Sequence, residues 1–435
     1  MLEPLVWLTG VLCLWSAVYT YRKYGDVFHP LVFLSPMFGF IYVYMPMVVI
    51  RSGELFSFVT EDQAVFVQLI VLASFVALAI GCLMGSRHDD EPIPAQPRVS
   101  IDGSALRSGA YVAGGVGMAA WGITMINVGG IAGAYSTSYG GGWSDYGYVR
   151  DAAYLLLVAL LALLSPEGSR TKSLVRKGAV VAFAMPWLLQ GLLGARRGPT
   201  FMIAVAVAVS WFMARNKRPP LFATVAGGSC LGLLLIFLVS NRSSIHLGTD
   251  FELQDNAQLF KGAAYNEYIF GAGTIIASNS IGEYFWGRRW IAELFVRPVP
   301  RQVWPDKYID FGIPEQYVGI AGGTVLDRMG WAENPGAAPA IVADLWAEWS
   351  WLGIPMLGFF GWYYGRAWKR AALWGGGLAI SRYVIVVMLS IFLITQTMEA
   401  IIFRFAILMT VSWFLWRRAT VACGEQAYNI PREAA

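Results

Sequence analysis

Long apolar runs recur along this chain, separated by short clusters of charged and polar residues. The runs lie at residues 4–20, 30–50, 63–84, 110–128, 152–165, 179–195, 199–214, 221–240, 340–364, 377–397 and 400–416. Most approach the roughly 20 residues a helix needs to cross about 30 Å of hydrocarbon, so the pattern predicts about eleven transmembrane helices. The run at 152–165 is short and extends upstream through Tyr146 and Tyr148, an interfacial tyrosine pair. A further apolar stretch at 265–281 contains Asn266, Glu267 and Asn279. We read it as a helix lying on or dipping into the membrane surface, because another crossing would turn the basic segment 366–370 and the basic C-terminal tail outward. The glycine-rich stretch GGIAGAYSTSYGGGW has no strand–helix unit around it and reads as an outer loop. Residues 86–109 are polar and contain proline, as a linker does. The expected class is an all-α polytopic integral membrane protein. It divides into an N-terminal bundle at 1–240, a large outward loop at 241–339, a C-terminal bundle at 340–416 and a tail at 417–435.

Composition agrees with the pattern. Hydrophobic residues make up 57% of the 435 positions and charged residues 14%; a soluble domain carries about 25% charged residues. A net charge of +4 with no basic block gives no reason to expect a nucleic-acid partner. Cys13, Cys82, Cys230 and Cys423 are scattered with no CxxC pair, so neither a zinc site nor a disulfide framework is expected. The opening MLEPLVWLTG lacks the basic segment of a cleaved leader, and the first run reads as a retained span.

Lysine and arginine set the orientation. One set of loops holds eighteen of them and the opposite set twelve, eight of which fall in the long loop, where the rule is weak. The eighteen are therefore expected in the cytoplasm, with the N-terminus outside and the C-terminus inside.

Chemistry concentrates in the outer loop. Residues 286–310 read WGRRWIAELFVRPVPRQVWPDKYID, where Arg288, Arg289, Arg297, Arg301 and Lys307 stand among Trp286, Trp290 and Trp304. Guanidinium forks match phosphate oxygens, and tryptophan faces pack on sugar rings or sit at headgroup level. Such a cluster suits an anionic, lipid-linked ligand bearing polar groups; its plain alternative is interfacial anchoring. In LLGARRGPTF, Arg196 and Arg197 sit at an outward turn with Pro199 at the start of the next helix, a second place for an anion. Arg242 and His246 follow the eighth run, and an outward histidine beside an arginine is a candidate general base. Asp344 and Glu348 are four apart, hence on one helix face near a membrane boundary, and are the acidic base candidates. Arg382, Glu399 and Arg404 in the last two runs suggest an internal ion pair. No Walker loop, HExxH or GxSxG occurs, and no metal or cofactor is expected.

The run count, the large loop between the eighth and ninth runs, and the GARRGP turn together resemble the Wzy-type O-antigen polymerases. More narrowly, they resemble the oligosaccharide repeat unit polymerases of bacterial surface polysaccharide systems. FVRPVPRQVWPDK is similar to that family's loop segment at Arg301, Trp304, Pro305 and Lys307, and GGTVLDRMGWAENPG followed by ADLWAEWSWLGIP resembles its glycine run and acidic helix. The NPG at 334–336 departs from that pattern. The resemblance implies a metal-independent, inverting glycosyltransferase of GT-C-like architecture in the bacterial inner membrane. Such an enzyme joins undecaprenyl-pyrophosphate-linked repeat units at the outer leaflet, with membrane lipids around it and the pathway's flippase and chain-length regulator as partners. It makes Arg196, Arg197, Arg242, Arg297, Arg301, Trp304 and Lys307 the expected pyrophosphate and glycan contacts, and Glu348, Asp344 or His246 the base. The competing readings are an O-antigen-ligase-like transferase, a transporter or flippase with repeats and broken helices, and a scaffold of an export complex.

Overall fold

Helix ends in this chain follow its capping residues. In the computed structural model, which describes residues 1–87, 99–136, 147–170, 173–241, 244–248, 266–300, 302–313 and 338–422, α1 (Leu2–Tyr24) stops at Gly25, where φ is 61°. That left-handed turn costs a glycine little. α2 (Pro30–Arg51) starts behind His29, with Pro30 in the first turn, where a missing N–H is harmless. Its middle widens into a π-turn at Phe40–Tyr44, between Pro36 and Pro46, neither of which can donate to the ladder. α3 (Glu61–Gly85) opens with a capping box. The Gln63 N–H donates to Thr60 Oγ1 at 3.3 Å, and Gln63 Oε1 accepts from the Thr60 N–H at 3.0 Å. Asp102 caps α4 (Gly103–Asn127) by accepting from the Ser104 N–H at 2.7 Å.

Then follow α5 (Tyr154–Leu164), α6 (Leu174–Leu192), α7 (Arg197–Met213) and α8 (Leu221–Ser240). After them come α9 (Glu267–Ile281), α10 (Ala340–Trp349), α11 (Gly353–Lys369), α12 (Gly377–Thr395) and α13 (Glu399–Arg418). A two-stranded antiparallel pair, β1 (Val99–Ile101) with β2 (Thr420–Ala422), ties the entry of α4 to the exit of α13, with Ser100 opposite Val421. Seven described helices (α1, α2, α3, α4, α8, α12 and α13) are long and apolar enough to cross a bilayer.

The burial pattern agrees with a lipid surround. α1 turns Thr9, Cys13, Ser16 and Thr20 inward, where Ser16 and Ser35 hydroxyls meet at 2.9 Å. It turns Trp7, Val11, Leu14 and Val18 outward. Both sets repeat at helical spacing, so one face is buried and polar and the other is apolar and uncovered. Water would penalise an apolar stripe of that length; lipid does not. The chain is an all-α membrane protein.

The core gathers on α12, whose apolar stretch is 83% buried, against 6% for α8. α3 and α11 meet along a glycine seam. A Cβ on Gly81 would lie 1.9 Å from the Gly358 carbonyl oxygen, and one on Gly365 would lie 2.3 Å from that of Cys82. Backbones approach this closely only where side chains are missing.

Two expectations change, and a third stretch gains its packing. The run at 340–364 is not one helix: Ser350, at φ 53° and ψ −134°, breaks it into α10 and α11. Apolar residues continue through the break, which is why hydropathy alone joins the two. The stretch 265–281 is packed within the protein. As α9 it is buried along most of its length, against α10, where a Cβ on Gly271 would meet the Pro339 carbonyl at 2.7 Å. The stretch beginning GGIAGAY starts as a short helix, Gly130–Tyr135, rather than as loop.

Candidate functional site

A strained turn carries the outer-loop cluster to its place. Phe285 and Trp286 donate their N–H groups to the carbonyls of Ala347 and Glu348, at 3.1 and 2.7 Å, satisfying the open end of α10. Trp286 has φ 53°, and Gly287 follows at φ 81°. Gly287 has no room for a side chain, since its Cβ would come 2.8 Å from the Trp349 ring. Its N–H donates to Glu348 Oε2 at 2.8 Å. The short helix Arg288–Ile291 then turns Arg289 inward.

Arg289 is the centre of the site. Its Nε donates to Glu348 Oε1, and its Nη2 donates to Asp344 Oδ1 at 2.7 Å. Glu399 Oε1, from the first turn of α13, stands 3.4 Å from Nε. The guanidinium lies over the Phe285 ring, 4.5 Å from its centroid. Burial opposes the charge on Arg289, and Asp344, Glu399 and Glu348 outweigh it, holding the guanidinium ionised beyond its ordinary range. The second oxygen of Asp344 accepts from the Met398 N–H at 2.8 Å. The side chains of Asp344 and Glu348 are wholly buried, while that of Glu399 is 19% exposed. One guanidinium therefore serves three carboxylates from two helices, and only Glu399 reaches the edge.

A second pair flanks the same turn. Arg197, at the start of α7, pairs with Glu267 of α9 at 2.5 Å and donates to the Thr395 carbonyl at 3.4 Å. The residues from Thr395 to Met398, which link α12 to α13, are thus held by Arg197 on one side and Asp344 on the other. Asn266 fixes the start of α9: its side chain accepts from the Tyr268 N–H at 3.1 Å and donates to the Met45 carbonyl at 2.9 Å. Ala195, at φ 46°, makes the turn before Arg196. Arg196 acts on the Tyr135 hydroxyl, which burial pushes to about 12 against the arginine's pull. His246 stands beside this turn, where the Leu247 N–H donates to the Tyr135 carbonyl at 2.7 Å.

The third group lies further along the loop. Arg297 pairs with Glu293 and with Asp151, each at 2.8 Å, and lies over the Phe403 ring of α13. The Lys307 ammonium is turned inward and donates to the carbonyls of Val296, Arg297 and Val299 at 3.1, 2.9 and 2.5 Å. That lysine shapes the turn carrying Arg297. Trp304 donates to Asp310 Oδ2 at 2.6 Å. Trp286, Trp290 and Trp349 pack edge-on around Arg289's turn, and Trp286 remains 53% exposed.

The structure unites Asp344, Glu348, Arg197 and Arg297 with residues the sequence reading left out of the site: Arg289, Glu399, Glu267 and Asp151. The ion pair expected among Arg382, Glu399 and Arg404 is corrected. Glu399 is drawn to Arg289, while Arg404 donates to the Tyr154 hydroxyl and the Ala400 carbonyl. Arg242, Arg301 and the glycine run 321–336 lie outside the described residues. Compared with known proteins, the chain matches no family model, no curated sequence and no solved structure.

Proposed function

We propose that this chain is a membrane glycosyltransferase of the GT-C-like kind, crossing the bilayer eleven times with its N-terminus outside. In this reading it polymerises oligosaccharide repeat units carried on undecaprenyl pyrophosphate. The observation that carries the reading is the charge network at the α12–α13 turn: one buried arginine among three carboxylates, with a partly exposed acid at the rim and two further arginines beside it. Strain supports it. Trp286, Ala340, Ser350 and Ala195 are four of the five non-glycine residues with left-handed φ among those described, and all border segments that position the network. Strain of this kind gathers at functional sites. The orientation draws support from residues of one expected side meeting at one end: Arg197, Arg289 and Arg297 all reach the loops that start α13.

The chemistry assigns roles. Asp344 and Glu348 hold Arg289 and the 395–398 turn, so they position. Glu399, at the rim, accepts the proton of the acceptor sugar's hydroxyl as its oxygen attacks the anomeric carbon. The bond from that carbon to the pyrophosphate oxygen breaks, and its electron pair leaves with undecaprenyl pyrophosphate. Arg297 and Arg197 offset the charge that develops there. Trp286 offers its exposed face to the glycan.

The test is surface polysaccharide length in a deletion strain complemented with wild type, Glu399→Gln or Arg297→Ala at matched expression. A polymerase gives single repeat units and no long chains with Glu399→Gln. Long glycan left on its lipid carrier identifies the ligase reading. Unchanged chains with both variants overturn the assignment. A second reading, a lipid-linked glycan transporter, is favoured by one observation: α10 and α11 form a discontinuous helix beside buried charge, as transporter sites do. It is identified by repeat units accumulating on the cytoplasmic side in the deletion strain.

A further inference from the structure

A second polar site lies at the other end of α11. That helix has 17 residues, which at about 1.5 Å each separates its two ends by roughly 25 Å. Glu348 stands near its start, and Trp368 stands one residue before its end. Around Trp368 opens a cavity of about 640 Å³, bordered by Lys23, Tyr24, Asp26, Arg87, Arg218 and Leu373 among others. That is the size of a small-molecule pocket.

The lining is a built arrangement. Asp26 is buried, and both of its oxygens are engaged. Oδ1 accepts from the Phe28 N–H at 2.9 Å; Oδ2 pairs with Arg218 Nε at 2.8 Å and accepts from Trp368 Nε1 at 3.1 Å. Arg218 is thereby neutralised and fixed. Lys23 and Arg87 are exposed, and among the described residues neither has a carboxylate within ion-pair distance. Among the described residues, three cations, Lys23, Arg87 and Arg218, therefore border the cavity against one carboxylate, Asp26. Lys23 lies over the Tyr24 ring at 5.2 Å and near the Tyr19 ring at 5.7 Å. Leu373, 39% exposed, and Ala372 add apolar surface to its border.

Behind the aromatic wall stands His29. It accepts from the Leu31 N–H through Nδ1 at 3.3 Å, so its proton is on Nε2, which donates to Ser86 Oγ at 2.9 Å. Ser86 passes the chain on to the Cys82 carbonyl at 2.7 Å. His29 is thus neutral and structural, stacked on Tyr24 at 4.8 Å, and adds no charge to the cavity. Among the described residues that border the cavity, the charge beyond the Arg218–Asp26 pair is that of Lys23 and Arg87.

We propose that this cavity binds a phosphate or pyrophosphate group, presented by a lipid of the adjacent leaflet or free in solution. Lys23 and Arg87, beside Tyr24, Trp368 and the Arg218–Asp26 pair, match a compact dianion, and the apolar border at Leu373 and Ala372 admits an acyl chain. The proposal is independent of the glycan reading, because it concerns the opposite end of the bundle.

The test uses full-length protein in detergent, stripped of lipid, as wild type, as Lys23→Ala/Arg87→Ala and as Lys23→Arg/Arg87→Lys. Native mass spectrometry measures phosphatidylglycerol and phosphatidylcholine adducts, and calorimetry measures inorganic pyrophosphate. The lipid-borne form gives phosphatidylglycerol binding about ten-fold weaker in the alanine pair, the loss of two charge-assisted contacts. The charge-preserving pair keeps it, and phosphatidylcholine does not respond. The free form gives the same ranking with pyrophosphate in place of lipid. Both alanine positions are exposed, and an unchanged melting temperature verifies the fold. Equal binding by wild type and the alanine pair, or binding of neither probe, overturns the proposal.

Discussion

Removing the Arg289 guanidinium would leave Asp344, Glu348 and Glu399 without their common partner. Breaking a buried ion pair from one side costs about 3–5 kcal/mol, because the remaining charge is stranded. Arg289→Ala is therefore expected to lower the melting temperature in detergent sharply. Arg289→Lys recovers only part of it, since an ammonium cannot offer Nε and Nη2 to two carboxylates at once. Equal melting of wild type and Arg289→Ala would refute the network's structural role. Part of this site was legible beforehand. Asp344 and Glu348 share a helix face by spacing alone, and the density of arginine and tryptophan at 286–310 marked the right loop. Which arginine goes inward was not legible, because it depends on a turn at Trp286 and Gly287 whose strain is bearable only once α10 is in place. Glu399 was read with its sequence neighbours Arg382 and Arg404, and a residue 110 positions away in the loop takes it instead.

At the scale of elements, the hydropathy pattern located helices well and their partners hardly at all. α8 has the predicted bounds, 221–240, and α3 and α12 differ by two residues or fewer at each end. Glycine seams carry the missing information. Gly81 and Gly85 on α3, and Gly361 and Gly365 on α11, each repeat at four residues, which is visible in the sequence, but the sequence does not say which two helices pair. The consequence is testable. A side chain at Gly81 must displace the Gly358 backbone, so Gly81→Val pushes α3 from α11. Overpacking of this kind costs about 1–3 kcal/mol, and more where backbone is the obstacle. Gly227→Val on α8, where a Cβ meets nothing within 4 Å, is the control and leaves stability unchanged. If both variants melt alike in detergent, the seam does not hold these helices together. The break at Ser350 belongs to this scale too. It escapes hydropathy because it replaces no apolar residue; it only re-aims the chain so that α10 presents acids to Arg289 while α11 descends along α3.

For the whole molecule, the two ends of α11 make the orientation measurable. In the proposed orientation, the eighteen-to-four imbalance of lysine and arginine outside the long loop puts one end in the cytoplasm. Lys23, Arg87 and Arg218 come from three separate loops of the basic set and border one cavity, beside Trp368. Trp286, exposed, stands beside the other end, on the loop that docks on α10. With Cys13, Cys82, Cys230 and Cys423 replaced, single cysteines at Trp286→Cys and Arg87→Cys report on the two ends with a membrane-impermeant maleimide. The expected outcome is labelling of Trp286→Cys in intact spheroplasts and of Arg87→Cys only after lysis. The reverse result would invert the orientation and move the Arg289 network to the cytoplasmic leaflet, where the leaving pyrophosphate of an outer-leaflet polymerase could not reach it. Labelling of both in intact spheroplasts would mean that α11 does not separate the two compartments. The reverse result would detach the charge network from glycan assembly at the outer leaflet while leaving its geometry intact, because the network rests on contacts among α7, α9, α10, α13 and the loop, and not on which side of the bilayer they face.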